Sequence, residues 1–464
     1  MVNRNSLWET LIVKLTFWSL IVFSFNVFIP RNQLLFIYDS KRLVVSLLLI
    51  LFAAGLVMSA RIRQPVIKVY QSLEQPVKGL VVVFVVFSMI ATALSHYSIS
   101  APTQWFYLMG LFLLLGLFNS YFQSSRSVLF NLAMLLNVLL FLSVAVAFWT
   151  LLYHRVPVGT TTFYGFSNPR FINQVQVWLI LPMAYLAVRA LRRKKSAFLP
   201  LLSVSMAFSV CFTLNGRGVV LAVLSGFILM SLVDRALWRQ WIKTLLIAAF
   251  FGACISFAFL NPLPSYLLGI ESEAILFRTT TSDRLALWSQ ALSIASFWGN
   301  GGGAFVCHDF NFGRPHNSVL NVLVHWGWVS AVCYVVLCFL LLFKVATAAS
   351  RVTKVLGASV LTGLLYSLVS GVLDSPMSQL LAIISLAAFW ASLKPKLSAV
   401  APSLLSHVIV VMLALGVITT CSYRLYDRWV HYPQQPGEIV DVKSIGMKTQ
   451  FWVGFNCLEN PDMP

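Results

Sequence analysis

Apolar runs long enough to cross a bilayer as helices recur along almost the whole chain. They lie near 8–29, 43–60, 79–96, 104–120, 127–152, 171–188, 198–214, 218–233, 243–260, 317–343, 355–373, 377–393 and 404–422. Little constrains a fold more, because lipid offers backbone groups no hydrogen bonds and only helices or closed barrels satisfy their own. With 59% hydrophobic and 10% charged residues, the chain reads as an all-α polytopic integral membrane bundle of about 12–13 transmembrane helices. Residues 1–260 hold the N-terminal spans and 261–316 a large outer loop with short helices. Residues 317–423 hold the C-terminal spans, and 424–464 form a polar tail on the outer side. The first run contains Lys14 and ends at Pro30-Arg31 without a small-residue cleavage pattern, so it reads as a retained helix rather than a signal peptide.

The net charge of +19 would suit nucleic acid only if the basic residues shared one exposed face of a soluble fold. The loops argue otherwise. Arg189, Arg192, Arg193, Lys194 and Lys195 form the densest basic loop, which the positive-inside rule puts in the cytoplasm, and that choice fixes the side of every other loop. Inside segments then take most of the lysine and arginine and only three acids, Glu9, Glu74 and Asp234. The positive charge is mainly a topology signal that also favours anionic lipid headgroups. Nucleic acid is not an expected partner.

The seven cysteines include no Cys-x-x-Cys pair and suggest no zinc site, and a Cys307–Cys457 disulfide stays open. Among the outer acids no pair has Asp-x-Asp spacing, so no metal and no cofactor is expected. The Asp374-Ser375-Pro376 turn is tight enough for a re-entrant hairpin.

The outer face holds few charges, which makes them informative. In "FSNPRFINQVQVW", Asn168 is placed to cap a helix with Pro169 at its first position, and Arg170, Asn173 and Gln174 then share a face. A snorkelling interfacial arginine and a lined cavity both fit. In "TLNGRGVVLAVL", Arg217 stands between two glycines, where a ligand oxyanion can approach closely, although a plain interfacial turn carries the same residues. "FRTTTSDRLALWSQAL" reads as an amphipathic helix over 277–292 bearing Arg284 and Trp288, either lying on the membrane or serving a site. The glycines of "GNGGGAF" are a hinge or a backbone nest for an anion.

The stretch "RPHNSVLNVLVHWG" starts the tenth span, with Asn317 or His316 near the helix cap. A histidine at a helix end that merely fills its hydrogen bonds is one reading. The other follows from helical phase: Leu320, Leu323 and Gly327 share its face and aim His316 into the bundle, whereas His325 falls half a turn away as a separate histidine. Arg170, Arg217, Arg284, Arg314 and His316 thus sit on one side of the membrane, on four segments, where positive charge is disfavoured.

Here the chain resembles the O-antigen ligase superfamily of bacterial inner-membrane enzymes. "NGRGVVLAVLSG" is similar to its Ser-Arg-Gly turn and apolar helix, "DRLALWSQALSIASFWGNGGGAF" to its Arg, Trp, Gly-x-Gly stretch, and "PHNSVLNVLVHWG" to its His-Asn, Leu, Gly motif. The resemblance covers roughly 210–330. Asn215 replaces the common serine, and His325 stands where many members carry glutamate. "NPRFINQVQVWLILP" is similar to a segment of members that glycosylate type IV pilins.

The resemblance implies en bloc, metal-independent, inverting transfer of a glycan from undecaprenyl diphosphate to an acceptor hydroxyl at the periplasmic face. A pilin Ser or Thr is the first acceptor, with lipid A-core or a growing polymer as alternatives. It implies His316 as general base, Arg217 and Arg284 as first diphosphate ligands, then Arg170 and Arg314, with Gln174 and Asn317 beside them. A transporter of lipid-linked glycans is the rival class, and would place ionisable groups at the bilayer midplane.

Overall fold

The computed structural model describes residues 7–25, 37–125, 127–157, 166, 168–271, 284–308, 313–393 and 401–431. Among them there is no strand, and each expected span coincides with a helix or a helix pair. The helices are α1 (Leu7–Ser24), α2 (Ile37–Met58), α3 (Ala60–Gln71), α4 (Gln75–Ala93), α5 (Ser100–Ser124), α6 (Val128–Tyr153), α7 (Pro169–Gln176), α8 (Ile180–Arg192) and α9 (Phe198–Thr213). There follow α10 (Arg217–Val233), α11 (Trp238–Ile255, continued by a π-helical turn Ser256–Leu260), α12 (Leu263–Leu267), α13 (Arg284–Ser293), α14 (Ser318–Thr347), α15 (Arg351–Ser367), α16 (Pro376–Ser392) and α17 (Leu404–His431). The chain is a multi-pass membrane protein. Eight described helices are each long and apolar enough to span, and α7 with α8, bent by 46°, make a ninth if counted together. Three shorter apolar helices, α9, α10 and α16, complete most of the set.

Burial sorts the helices. Most of the apolar window of α5, 72%, is buried against α16, α17 and α3, whereas only 11% of α4 is, so α5 is central and α4 faces lipid. Two ion pairs, Arg351 with Asp234 and Lys344 with Glu74, join loops that the charge rule puts on the same side. Helix α3 escapes the hydropathy pattern because only its buried stripe, Ile62, Val66, Ile67 and Val69, is apolar.

Two departures shape the site. The tenth span is not one straight helix: α14 breaks at Gly327, whose φ is 79° and ψ 179°. Tyr334 Oη donates to Ser318 Oγ at 3.1 Å, although residues sixteen apart in a straight helix are separated by about 24 Å. The two halves therefore form an elbow. Second, α13 does not merely lie on the membrane. Leu287 and Ala291 are buried in a small second core with Tyr97, Ala101, Phe305 and Val324, which fastens α13 to the start of α5 and the first half of α14. Its described part begins at Arg284, and 277–283, which the sequence puts at its start, lie outside the described residues.

Candidate functional site

Four segments converge at one end of the bundle. Helix α7 begins as expected, with Asn168 Oδ1 accepting from Arg170 N at 2.9 Å and Pro169 at the first position. Its Arg170 is exposed, and its Asn173 packs against Gly216 at the start of α10. There Asn215 takes the left-handed conformation, φ 51°, which asparagine tolerates better than most residues, so it serves the turn in place of a serine. The glycines flanking Arg217 make room for protein rather than ligand: a Cβ on Gly216 would lie 2.6 Å from Asn173 Nδ2, and one on Gly218 2.9 Å from Tyr366 Cε2. Arg217, held between these contacts, is exposed.

Arg284 at the start of α13 completes the group. Burial chiefly, and then the charges of Arg170 and Arg217, lower its pKa, while Tyr366 opposes them. None of Arg170, Arg217 and Arg284 has an ion-pair partner among the described residues. Three like charges held together without a carboxylate repel one another, an arrangement an oxyanion relieves.

His316 borders this cluster. Its backbone is left-handed, φ 53°, a conformation costing of order 1 kcal/mol or more in a non-glycine residue and kept only where the surrounding structure holds it. Asn317 is the cap: Oδ1 accepts from Val319 N and Leu320 N at 3.0 and 3.1 Å. The Asn317 side-chain oxygen is thus committed to the helix, so only its amide N–H groups are left to offer a ligand. Burial, followed by Arg314, Arg170 and Arg284, lowers the His316 pKa to about 3, so the imidazole is neutral.

Arg314 differs from the other arginines. It is buried and its Nη1 lies 3.3 Å from Asp374 Oδ2. Asp374 also joins this pair to α2, because its main-chain oxygen accepts from Arg42 Nη2 at 2.6 Å. Arg42 Nη1 donates in turn to Gln379 Oε1 at 2.8 Å, which also accepts from Tyr107 Oη at 2.9 Å. Asp374 therefore does more than make the short turn between α15 and α16. Gln174 Nε2 donates to Ser370 Oγ at 3.1 Å, and its Oε1 is buried without a hydrogen-bond partner among the described residues.

The glycine-rich loop is neither hinge nor nest. Gly299, Gly301 and Gly303 have φ of 84°, 83° and 99°, and the amides of Asn300 and Gly301 donate to the carbonyls of Val324 and His325 at 3.0 and 2.9 Å. These carbonyls end the first half of α14 and need partners there. The loop caps the break, with Gly299 and Gly327 in backbone contact.

A cavity of about 200 Å³ lies in the elbow of α14, with His316, Arg314, Gln104, Tyr107, Tyr334 and Trp326 among its walls. His325 lines it too, which corrects its expected separation from His316. Helical phase was counted from His316, but that residue precedes the cap and is not helical, so the phase does not apply. The wall uses the 318, 321, 322 and 325 stripe of α14 instead. Arg170, Arg217 and Arg284 lie off this wall.

Position in sequence gave no sign of Tyr366, Asn173 as a packing partner of Gly216, or the Arg42–Gln379–Tyr107 chain, because each contact joins distant segments. Cys307 is disulfide-bonded, while Cys457 lies outside the described residues. No group of three His, Cys, Asp or Glu side chains suited to a metal occurs among the described residues. Comparison with protein-family models and with curated proteins finds no match.

Proposed function

We propose that the protein is a glycosyltransferase of the bacterial inner membrane that moves a glycan en bloc from undecaprenyl diphosphate to an acceptor hydroxyl at the periplasmic face, the first acceptor being a type IV pilin Ser or Thr. One observation carries this reading: Arg170, Arg217 and Arg284, mutually repelling and without ion-pair partners among the described residues, stand beside a neutral imidazole at one end of a membrane bundle. The disulfide at Cys307, near the same end, suits an oxidising compartment, and the basic loop at 189–195 suits the opposite one.

The chemistry follows from charge. The arginines hold the diphosphate oxygens, on which negative charge grows as the anomeric carbon–oxygen bond breaks. The acceptor oxygen attacks that carbon from the opposite side and gives its proton to His316, so the configuration inverts. A histidine of pKa about 3 is a weak base in the empty site. Bound diphosphate offsets the arginine charges and moves the pKa back up, so basicity rises when substrate is present.

A transporter would need ionisable groups at the midplane. Lys14, midway along α1, is the clearest such basic group, but it is exposed; buried Arg42 lies within two turns of the start of α2 and buried Arg424 near the end of α17, both lining the cavity at the site end. The deciding experiment uses purified protein, an undecaprenyl diphosphate glycan, and pilin, lipid A-core or a second donor offered separately, with and without EDTA. Glycosylated pilin, unaffected by EDTA, is expected. No product on any acceptor defeats the enzyme reading, and product on lipid A-core or the second donor alone makes it a ligase or a polymerase.

A further inference from the structure

His316 adjoins both the arginine cluster and the α14 cavity: it feels the charges of Arg170 and Arg284, which like Arg217 are absent from the cavity wall, while it and Arg314 belong to that wall. The cavity therefore has its own occupant to account for. At about 200 Å³ it falls below the ~300–1,000 Å³ of pockets that enclose a drug-sized ligand, and suits one ring rather than a chain.

Its walls describe that ring. Trp326, 9% exposed, packs edge-on against Phe84, and Tyr107 and Tyr334 add further aromatic surface. The wall also carries the buried arginines Arg42, Arg314 and Arg424, and beside the aromatic faces stand a donor and an acceptor with no described partner. Trp326 Nε1 and Gln104 Oε1 are both buried, and neither has a hydrogen-bond partner among the described residues. Asn321 adds an amide. Buried polar atoms are normally satisfied, and a pair left open on one cavity wall points to a missing partner. A pyranose meets both needs, since its hydroxyls donate and accept in the ring plane while its C–H face packs on aromatic surface.

We propose that the elbow cavity of α14 is the subsite for the sugar joined directly to the donor diphosphate, a single hexopyranose whose hydroxyls are read by Trp326, Gln104 and Asn321. This rests on the donor chemistry proposed above. With phosphate on the arginines and the ring in the elbow, the anomeric carbon falls beside His316, and the rest of the glycan leaves through the mouth.

The test measures equilibrium binding of a hexose 1-phosphate and of its single-hydroxyl deoxy analogues to the full-length protein in detergent. Trp326→Phe removes the N–H and keeps a ring, and Gln104→Met removes the amide at similar length. Wild type should prefer the parent sugar over at least one deoxy analogue by about ten-fold or more, and each variant should lose that preference while still binding inorganic pyrophosphate as wild type does. Equal binding of parent and analogues by wild type, or unchanged discrimination in both variants, overturns the subsite. Transfer assays separate the two readings. Sugar-dependent binding with no transfer leaves the subsite and defeats the transferase, whereas transfer by variants with wild-type donor choice does the reverse.

Discussion

Arg314 Nη1 lies 3.3 Å from Asp374 Oδ2, and this pairing divides the outer arginines into two kinds. Arg314 is a charge the fold has already answered. Arg170, Arg217 and Arg284 have no ion-pair partner among the described residues. The distinction bears on stability before it bears on activity.

Asp374→Asn leaves a buried guanidinium without its carboxylate, whereas Arg314→Gln leaves a carboxylate that keeps 23% of its side chain exposed. The aspartate substitution should therefore be the more damaging. Its cost should be about 2 kcal/mol, below the ~3–5 kcal/mol of breaking a fully buried pair, because water reaches one partner. Thermal denaturation of both variants in detergent checks the order, and a more stable Asp374→Asn contradicts it.

Substituting alanine for Arg217 or Arg284 should have the opposite signature. Each removes a repelling charge, so the melting temperature should hold or rise, while affinity for inorganic pyrophosphate should fall about 10–100-fold for each lost charge-assisted contact. Calorimetric titration beside a melting curve reads both. A variant that melts early and binds normally would make that arginine structural.

The acid limb of the rate profile should differ between kcat/KM and kcat. A base must be neutral to take a proton, and in the free protein His316 stays neutral down to a pH of about 3, so kcat/KM should not fall as pH drops through the ordinary histidine range. In the complex, bound diphosphate raises the pKa, and kcat should fall at higher pH than kcat/KM does. The same shift destabilises the fold in acid, since the unfolded chain takes up the proton near 6.5 and the folded one only near 3. That part of the stability is present above 6.5 and lost as pH falls toward 3. His316→Gln should lose ~10²–10⁴ in rate and show no such limb.

Gly299→Ala should lower stability by more than ~2 kcal/mol, because its φ is 84° and a Cβ would stand 2.6 Å from Gly327 N. Gly79→Ala is the control. Nothing lies within 4 Å of a Cβ there, and a helical alanine stabilises relative to glycine by roughly 0.5–1 kcal/mol. Equal melting temperatures for the two variants would show that the loop does not brace the α14 break.

Read alone, the sequence settled whatever depends on local periodicity and on the solvent each residue prefers. Apolar runs placed the helices, the basic loop at 189–195 gave each segment an expected side, and Asn168-Pro169 marked the start of α7. Excess positive charge on the other side picked out Arg170, Arg217, Arg284, Arg314 and His316, which the fold brings to one end. Tertiary structure decided what each of them faces. It paired Arg314 with Asp374, set Tyr366 and Asn173 against the glycines beside Arg217, bent α14 at Gly327 and turned His325 onto the same wall as His316. The reason is physical: burial and charge preference act on each residue in place, so they leave a trace in the order of residues. Contacts between segments sixty or three hundred residues apart leave none until the chain has packed.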